Sequence, residues 1–374
     1  MRILIVIENY LPHIGGVETV FKNLSEGLVK KGHDVSLVTH QLKGAKRFEV
    51  INGVKVHRVP CFGSRYLFSF LSIPKVVKMA RRADIIHTTT FNGAFPSWLA
   101  SKITGKPVII TVHEVWITLW QKLGGMNFFS AGLHEIFERL IYTLHFNRYV
   151  GVSKSTLRQL AKIGKGGKSV CVYNGFDYGF FNPERYDGSR IRKKLGMEKD
   201  FVIFAYGRPG YSKGFEYLIN AAPAVSRKIK NARFVLILSR DKAYRKRHEY
   251  MADLAEKSGA GDRITIIEPV PFKELPNYIK AADCIVIPSL TEGFGYTVLE
   301  ACAMGKPVVA TDTTSIPEVI YGRYVLVEPK SSKAIAEGIE KIYNRKWQTS
   351  PKKDFSVEKN INGYLKVYGE VLGK

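Results

Sequence analysis

Several features that would assign the protein to a class are missing from its 374 residues. There is no apolar run of about 18 or more residues, so the sequence predicts no helix that spans a membrane. The N-terminal apolar run ends at Glu8 and is too short for a secretory signal peptide. Four widely separated cysteines form no CxxC pair, which argues against a zinc site and against a disulfide framework. We therefore expect a cytoplasmic protein, with any membrane contact peripheral and at the inner face.

Acidic residues are scarce relative to basic ones. The chain has 33 Asp and Glu against 57 Lys and Arg, which gives a formal net charge of +24. Such an excess predicts an anionic partner, which is a nucleic acid, a phosphorylated substrate or an acidic membrane surface. No basic stripe with interleaved stacking aromatics is present, so the charge indicates nonspecific affinity rather than specific nucleic-acid recognition. A basic nucleic-acid-binding protein stays open as an alternative of a different class.

Two short motifs are also absent. No Asp-x-Asp occurs and no carboxylate cluster suggests ligands for Mg²⁺ or Mn²⁺, so neither a metal nor another cofactor is expected. The pattern GxGxxG does not follow the first strand, where Gly15-Gly16 stands instead. This absence disfavours an NAD-dependent enzyme on the same kind of sheet.

Short apolar runs alternate with amphipathic stretches, which is the pattern of parallel sheets covered by helices. The first series of strand candidates comprises Arg2–Glu8, Val35–Thr39, Val54–Val59, Ile85–His87, Val108–Val112 and Tyr149–Val152. The pattern then restarts with the short run Ser169–Tyr173. After the polar stretch 182–200, interpreted as a linker, a second series comprises Phe201–Tyr206, Arg233–Leu238, Ile264–Ile267, Cys284–Pro288, Pro307–Ala310 and Tyr324–Val327. We predict an α/β protein with two tandem Rossmann-like, doubly wound domains, and a ligand site in the cleft between them.

The strongest chemical pattern is the stretch EGFGYTVLE, which begins at Glu292 and ends at Glu300. It follows an apolar strand and opens a helix. The backbone N–H groups of Phe294, Gly295 and Tyr296 then form an anion site at the helix N-terminus. Two carboxylates on either side of a phosphate-sized site suit a ligand with hydroxyls flanking a diphosphate. The alternative is an ordinary helix start with acids placed to suit the dipole.

A second constellation lies just after the first strand of the second half. The loop GRPGYSKG carries Arg208 and Lys213 five residues apart, so both cationic heads can point at one site. Two cations at the carboxyl end of a strand suit a diphosphate, with the guanidinium able to bind it through two hydrogen bonds. The alternative is a solvated basic turn.

Five further positions lie after predicted strands. Gly15 and Gly16 form the first strand-to-helix loop, where backbone N–H groups can reach a bound phosphate, and the alternative is a simple tight turn. His113 follows the strand that ends at Val112, Asn174 stands in an Asn-Gly turn, and Val270 can offer backbone groups to a base edge.

Together these motifs resemble the retaining glycosyltransferases of family four, which have the GT-B fold. EGFGYTVLE has the form of the family's E-x7-E motif, and the other markers occur in the family's order over essentially the whole chain: Gly15-Gly16, Thr111-Val112-His113, Val152-Ser153, Tyr173-Asn174-Gly175, Gly207-Arg208, Lys213-Gly214 and Pro288-Ser289. The resemblance implies an acceptor-side domain over residues 1–178, onto which a helix in 355–374 crosses back. Residues 179–354 would bind the nucleotide sugar.

The resemblance also implies roles for the site residues. Arg208 and Lys213 would neutralise the leaving diphosphate, and His113 would contact the transferred sugar. Glu292 would hydrogen-bond the sugar hydroxyls, and Glu300 would bind the ribose. The expected reaction is metal-independent transfer of a hexose-type sugar to a saccharide or lipid-linked acceptor, with retention. The resemblance implies same-face attack, and a covalent intermediate on a carboxylate is the alternative route. A same-fold epimerase or phosphorylase is the nearer alternative.

Residues 61–82 mix aromatic and aliphatic residues with five cations and no acid. This composition predicts an interfacial element that meets an anionic membrane. The alternative is a buried helix whose Lys and Arg side chains face solvent.

Overall fold

The computed structural model describes residues 1–13 and 15–373. Its contacts divide the chain into two compact units. Unit 1 comprises Met1–Gln121, Met126–Phe176 and Phe355–Lys374, and unit 2 comprises Lys122–Gly125 and Asp177–Asp354. The boundary predicted from the sequence lies two residues later, after residue 178.

The first fifteen elements run from the N-terminus to the end of the first sheet. The strands are β1 (Arg2–Val6), β2 (Asp34–His40), β3 (Phe48–Ile51), β4 (Val54–Val59), β5 (Ile85–Thr89), β6 (Val108–Val112), β7 (Arg148–Gly151) and β8 (Ser169–Cys171). The helices are α1 (Gly16–Lys30), α2 (Phe68–Leu71), α3 (Ile73–Ala80), α4 (Ala94–Thr104), α5 (Trp120–Leu123), α6 (Phe128–Thr143) and α7 (Lys154–Lys162).

The sheet of unit 1 has the strand order β3-β4-β2-β1-β5-β6-β7-β8. Every neighbouring pair is parallel except β3 and β4, which form an antiparallel hairpin at one edge. Central strands such as β5 and β6 are buried along their whole length, as expected where helices cover both faces of a parallel sheet. The carboxyl ends of β1, β5 and β6 therefore lie along one edge of this sheet.

The elements of unit 2 follow in chain order. The strands are β9 (Phe201–Gly207), β10 (Ala232–Leu238), β11 (Ile264–Ile267), β12 (Cys284–Ile287), β13 (Val308–Thr311), β14 (Gly322–Val327) and β15 (Gln348–Ser350). The helices are α8 (Ser189–Leu195), α9 (Phe215–Lys228), α10 (Arg245–Lys257), α11 (Leu275–Ala281), α12 (Tyr296–Ala303), α13 (Ile316–Val319) and α14 (Ser332–Tyr343).

The sheet of unit 2 has the order β11-β10-β9-β12-β13-β14-β15 and is parallel except for β14 and β15. Strand order reverses between β9 and β12, and in open parallel sheets ligands bind outside the carboxyl ends of strands at such a point. Two Rossmann-like units confirm the predicted α/β class. The sequence prediction lacks the two antiparallel edge strands, because both are largely exposed and neither contains a continuous apolar run.

The last helix, α15 (Val357–Leu372), belongs to unit 1 and packs against α1. Tyr364 and Tyr368 are buried, and their hydroxyls bond to Thr111 Oγ1 at 2.8 Å and to His87 Nδ1 at 2.7 Å. Gly27 on α1 allows α15 to pack closely, because a Cβ at this position would lie 2.1 Å from the Ile361 side chain. The C-terminal helix is thus part of the core of unit 1.

The stretch 182–200 is not the simple linker that its polar composition suggests. Residues 189–195 form α8, which buries Ile191. Arg192 donates to the carbonyl of Ala281 at 2.8 Å and pairs with Asp283. Gly188 fits closely, because a Cβ there would lie 2.4 Å from the backbone nitrogen of Ala281. The linker prediction was wrong here, because Ile191 and Leu195 alone give only a weak helical pattern and the helix is also held by arginine contacts.

Candidate functional site

The loop between β9 and α9 carries the two predicted cations and turns sharply at both ends. Gly207 has φ +143° and Gly214 has φ +63°, which are conformations that favour glycine. A Cβ on Gly214 would also lie 2.2 Å from the carbonyl oxygen of Pro288. The loop is therefore pressed against the segment that follows β12, and only glycine fits at this contact.

The segment after β12 is held by hydroxyl groups of its neighbours. Thr311 Oγ1 donates to the carbonyl of Ser289, and Ser315 Oγ donates to the carbonyl of Glu292 at 2.8 Å. The backbone N–H of Glu292 donates to Thr314 Oγ1 at 2.8 Å. The N–H of Leu290 donates to the carbonyl of Ser212 at 2.7 Å, which joins this segment to the β9–α9 loop. Glu292 is consequently fixed in backbone position before any ligand binds.

Lys213 and Glu292 form an ion pair where the two loops meet. The Lys213 ammonium contacts Glu292 Oε1, which also accepts a hydrogen bond from Ser289 Oγ at 3.0 Å. Both charged side chains are largely shielded, with 30% and 11% of their surfaces exposed. Arg208, in contrast, is exposed and makes no side-chain hydrogen bond or ion pair with the residues that the structure describes. The pair predicted from the sequence is therefore one anchored cation and one available cation.

Helix α12 begins beside this ion pair. Its N-cap, Gly295, has φ +97°, and the backbone N–H groups of Val298 and Leu299 bond back to the Gly295 carbonyl. Phe294 is buried and its ring packs edge-on against that of Tyr296, with centroids 5.3 Å apart. These contacts fix the first turn, whose dipole favours an anion at its N-terminus.

Glu300 lies one turn into α12 and is buried. Its Oε2 accepts a hydrogen bond of 2.5 Å from the Tyr206 hydroxyl. Burial raises the pKa of Glu300 to about 7, while the Tyr206 hydrogen bond and the charge of Lys213 act in the lowering direction. Burial and the nearby Glu300 raise the pKa of Tyr206 well above its ordinary value. A small cavity at this end of the sheet is lined by Tyr206, Gly207, Lys213, Phe215, Pro288 and Thr297.

Val270 lies in the irregular segment after β11 and is half-buried. Its strand is two places from β9 in the sheet order, with β10 between them. Val270 makes no side-chain hydrogen bond or ring contact within the described residues. Its contact with a base edge therefore stays a prediction.

The remaining predicted residues belong to unit 1. Gly15 is the N-cap of α1 and Gly16 its first residue, and a Cβ on Gly16 would meet nothing within 4 Å. His113 follows β6 and is half-buried, and its Nε2 is shielded from solvent without a hydrogen-bond partner among residues 1–13 and 15–373. Burial lowers the pKa of His113 to about 4, so the ring is neutral near pH 7. Asn174, after β8, is buried with Oδ1 likewise unpartnered.

The structure therefore brings Lys213, Glu292 and Glu300 together in unit 2, with Arg208 on the same loop as Lys213. Sequence reasoning missed two residues that support this group. Tyr206 is the partner of Glu300, and its place at the end of the first strand of the second half could have indicated it.

The other missed residue is Arg247 on α10. It donates to the carbonyl of Pro209 at 3.3 Å and to Glu216 at 3.1 Å, and its guanidinium lies 4.0 Å from the Tyr211 ring centroid. It thus braces the β9–α9 loop from outside. The basic run that contains it gave no means of separating this half-buried arginine from its exposed neighbours.

Neither a metal site nor a membrane-spanning helix is found among the described residues, 1–13 and 15–373. Within them, no group of three or more His, Cys, Asp or Glu side chains is arranged to hold a metal ion. None of their helices combines the length and the apolar character needed to cross a membrane.

Comparison with known proteins defines the class. The model "Glycosyltransferase Family 4" matches residues 14–180, and the model "Glycosyl transferases group 1" matches residues 187–360. The crystal structure of Anabaena HepE in complex with UDP and glucose has a similar fold, with a TM-score of 0.75, 19% identity, and 98% and 99% of the two chains covered. The fold and these models define a glycosyltransferase of the GT-B type.

Two curated relatives narrow the class to a family. An uncharacterized glycosyltransferase of Methanocaldococcus jannaschii is 30% identical over 363 residues, covering 91% of this chain and 89% of that protein. One of the subunits of the human phosphatidylinositol N-acetylglucosaminyltransferase is 24% identical, covering 98% of this chain and 72% of that protein. The chain belongs to the family 4 glycosyltransferases, as the resemblance of its motifs predicts.

Proposed function

We propose that the protein transfers a hexose from a nucleotide diphosphate sugar to a saccharide or lipid-linked acceptor, with retention of configuration and without a metal. The observation that carries the proposal is the shielded Lys213–Glu292 pair, which lies beside the first turn of α12. A cation, a carboxylate and a helix N-terminus at one point suit a ligand that combines sugar hydroxyls with a diphosphate.

The diphosphate is proposed to bind Lys213, Arg208 and the first turn of α12. Negative charge grows on the diphosphate as the glycosidic bond breaks, and fixed positive groups stabilise that charge in the transition state. Lys213 is already held by Glu292, so it is oriented before the donor arrives. Arg208 is exposed and unpaired in the described chain, and closes on the diphosphate when the donor binds.

Glu292 is proposed to hold the donor sugar rather than to attack it. Both of its side-chain hydrogen bonds use Oε1, which leaves Oε2 for a sugar hydroxyl. The ion pair with Lys213 also draws negative charge toward Oε1, which makes the whole carboxylate, including Oε2, a weaker nucleophile. We therefore favour same-face attack, in which the acceptor hydroxyl loses its proton to the departing phosphate and its oxygen bonds to the anomeric carbon.

In unit 1, His113, Asn174 and Gly16 are proposed as donor contacts. The shielded Nε2 of His113 and the buried Oδ1 of Asn174 are polar atoms without a hydrogen-bond partner in the described chain, and buried polar atoms normally have one. A sugar or phosphate group would supply it. Because the His113 ring is neutral near pH 7, it can donate or accept a hydrogen bond without adding charge.

The relatives support the two substrate classes. Anabaena HepE is described in complex with UDP and glucose, which supports a nucleotide-sugar donor. The human relative is named for the transfer of N-acetylglucosamine to phosphatidylinositol, which supports a lipid-linked acceptor.

The proposal is tested by the release of nucleoside diphosphate from UDP-glucose, UDP-N-acetylglucosamine, GDP-mannose and ADP-glucose, with phosphatidylinositol vesicles or free sugars as acceptors. We expect turnover with at least one donor, and its loss in Lys213→Ala. The matched control is Lys228→Ala. Lys228 is an exposed cation at the end of α9 and pairs with Glu340 of α14. If the product is an epimerised donor or a sugar phosphate instead of a glycoside, the protein is an epimerase or a phosphorylase and the proposed transfer is wrong.

Retention is tested separately. NMR of the product should show the same anomeric configuration as the donor. Mass spectrometry of the enzyme during turnover should show no sugar attached to Glu292. A glycosyl–Glu292 adduct would contradict the same-face route.

A further inference from the structure

Helix α6 packs on unit 1 through one side only. It begins after Asn127, whose Oδ1 accepts a hydrogen bond from the Ser130 N–H at 2.8 Å. Its buried residues are Ala131, Glu138, Ile141 and Tyr142. At 100° per residue these four positions fall on one side of the helix. The opposite side is left for solvent or for a partner.

That outer side is apolar instead of polar. Phe129, Leu133, Ile136 and Leu140 recur at spacings of three and four, and they are 85%, 53%, 56% and 53% exposed. An ordinary surface helix carries charged or polar residues there, whereas a helix that is apolar all round is normally covered on both sides. The outer side of α6 therefore requires a covering that residues 1–13 and 15–373 do not supply.

A second exposed apolar segment adjoins α6. The Tyr66 hydroxyl bonds to His134 Nε2 at 3.1 Å, which brings the segment 62–71 next to the helix. Phe62 and Phe70 of this segment are 88% and 60% exposed. We call the outer side of α6 and the segment 62–71 together the apolar face.

The rest of the stretch 61–82 behaves differently. Helix α3 buries Val76 and Ala80 against the core, and Lys78, Arg81 and Arg82 are exposed. The segment 62–71 exposes apolar side chains, as expected of an interfacial element. Helix α3 instead buries its apolar side and exposes cations, which was the alternative interpretation of residues 61–82.

The excess of positive charge in this part of the chain favours an anionic lipid surface over a second copy of the chain as the partner of the apolar face. Residues 61–176 contain 15 Lys and Arg against 4 Asp and Glu. On α6 itself Glu138 is buried and Glu135 is paired with Arg139 at 2.7 Å. A second copy of this chain would bring the same cations against one another across a two-fold interface. An anionic lipid surface offers both an apolar layer and the opposite charge.

We propose that the apolar face docks on an anionic membrane. Helix α6 lies in the interfacial layer, with Phe129, Leu133, Ile136 and Leu140 among the acyl chains. The exposed cations Lys78, Arg81 and Arg82, which follow the segment 62–71 in the chain, meet the anionic headgroups. The proposal rests on the exposure of this face and does not depend on the reaction proposed above.

The test is flotation of the full chain with vesicles of phosphatidylcholine alone, or of equal parts phosphatidylcholine and phosphatidylglycerol. We expect co-flotation with the anionic vesicles at low salt, and weaker binding as salt rises. Phe129→Ser with Leu133→Ser should weaken the partition at least about tenfold, because apolar groups are lost from the bilayer. The matched control, Val50→Ser with Tyr343→Ser, changes two exposed apolar residues elsewhere and should float like wild type.

Three results would overturn the proposal. The first is the absence of flotation with either vesicle. The second is equal flotation of the Phe129→Ser/Leu133→Ser chain and the wild type. The third is self-association in light scattering that this double variant abolishes while vesicles remain unbound, which would assign the face to a second copy of the chain.

Discussion

The buried carboxyl of Glu300 allows the effect of its ionisation on stability to be measured without a change in side-chain shape. It is buried in α12 against the Tyr206 hydroxyl, and burial raises its pKa from an ordinary 4.5 to about 7. Glu300→Gln keeps the shape and the hydrogen-bond acceptor but removes the ionisation. The variant therefore measures what the buried charge does to the stability of unit 2.

The sign follows from the direction of the pKa change. Below about pH 4.5 the carboxyl is protonated in both the folded and the unfolded chain, so it contributes nothing. Between about pH 4.5 and 7 the unfolded chain loses this proton while the folded chain keeps it, so stability falls as pH rises. Above pH 7 the full loss persists, and at about 1.4 kcal/mol per pH unit it amounts to about 3 kcal/mol.

The assay is thermal unfolding of wild type and Glu300→Gln at pH 5 and pH 8. We expect similar melting temperatures at pH 5. At pH 8 the variant should melt roughly 5–10 °C higher, which is what about 3 kcal/mol produces in a domain of this size. Glu337→Gln, at an exposed position on α14, is the control and should show no pH-dependent difference. A Glu300→Gln chain no more stable than wild type at pH 8 would refute the reasoning.

Three further predictions concern the loop, the histidine and the metal. Gly214→Ala should lower the free energy of unfolding by more than about 2 kcal/mol and abolish donor binding, because the position combines φ +63° with a 2.2 Å approach to Pro288. Gly259→Ala, at φ +77° with open space around it, should cost less, and calorimetry that ranks the two the other way would contradict the packing argument. The ring protons of His113 should not titrate between pH 5.5 and 8 in NMR spectra, and a midpoint near 6.5 would show that the ring is solvated. Chelation with EDTA should leave donor turnover unchanged, and restoration of a lost rate by Mg²⁺ or Mn²⁺ would end the metal-independent proposal.

The sequence predicts the two sheets well because their signals are strong and local. Strand β6 is fully buried and reads as an apolar run, β4 begins with valines at alternate positions, and β11 is rich in isoleucine. All three have the predicted bounds. Helix α15 also has its predicted bounds, since Ile361, Tyr364 and Tyr368 recur at helical spacing. Each of these patterns depends on residues close together in the chain.

Contacts between distant residues were not predictable in the same way. The pairing of Lys213 with Glu292, instead of a joint role with Arg208, depends on the approach of two loops 79 residues apart. The support of Glu292 by Thr314 and Ser315 comes from the loop after β13, and nothing in the spacing of those hydroxyls indicates it. The residue types of the candidate site follow from the sequence, but their partners do not.

The sequence also did not predict that the outer side of α6 is exposed. Helical spacing of Phe129, Leu133, Ile136 and Leu140 indicates an apolar stripe, and the usual expectation is that such a stripe faces the core. The helix also carries Ile141 and Tyr142, and these residues take the core-facing side. Which of two apolar sides is buried is decided by the packing of unit 1.

We propose that a nucleoside diphosphate binds between Lys213, Arg208 and the start of α12. Isothermal titration of UDP, GDP and ADP tests it directly. We expect saturable binding of at least one of them to wild type and to Lys228→Ala. Binding should be weakened at least about 100-fold in Arg208→Ala/Lys213→Ala, because two charge-assisted contacts are lost. Failure of all three nucleotides to bind, or equal binding to wild type and the double variant, would contradict it.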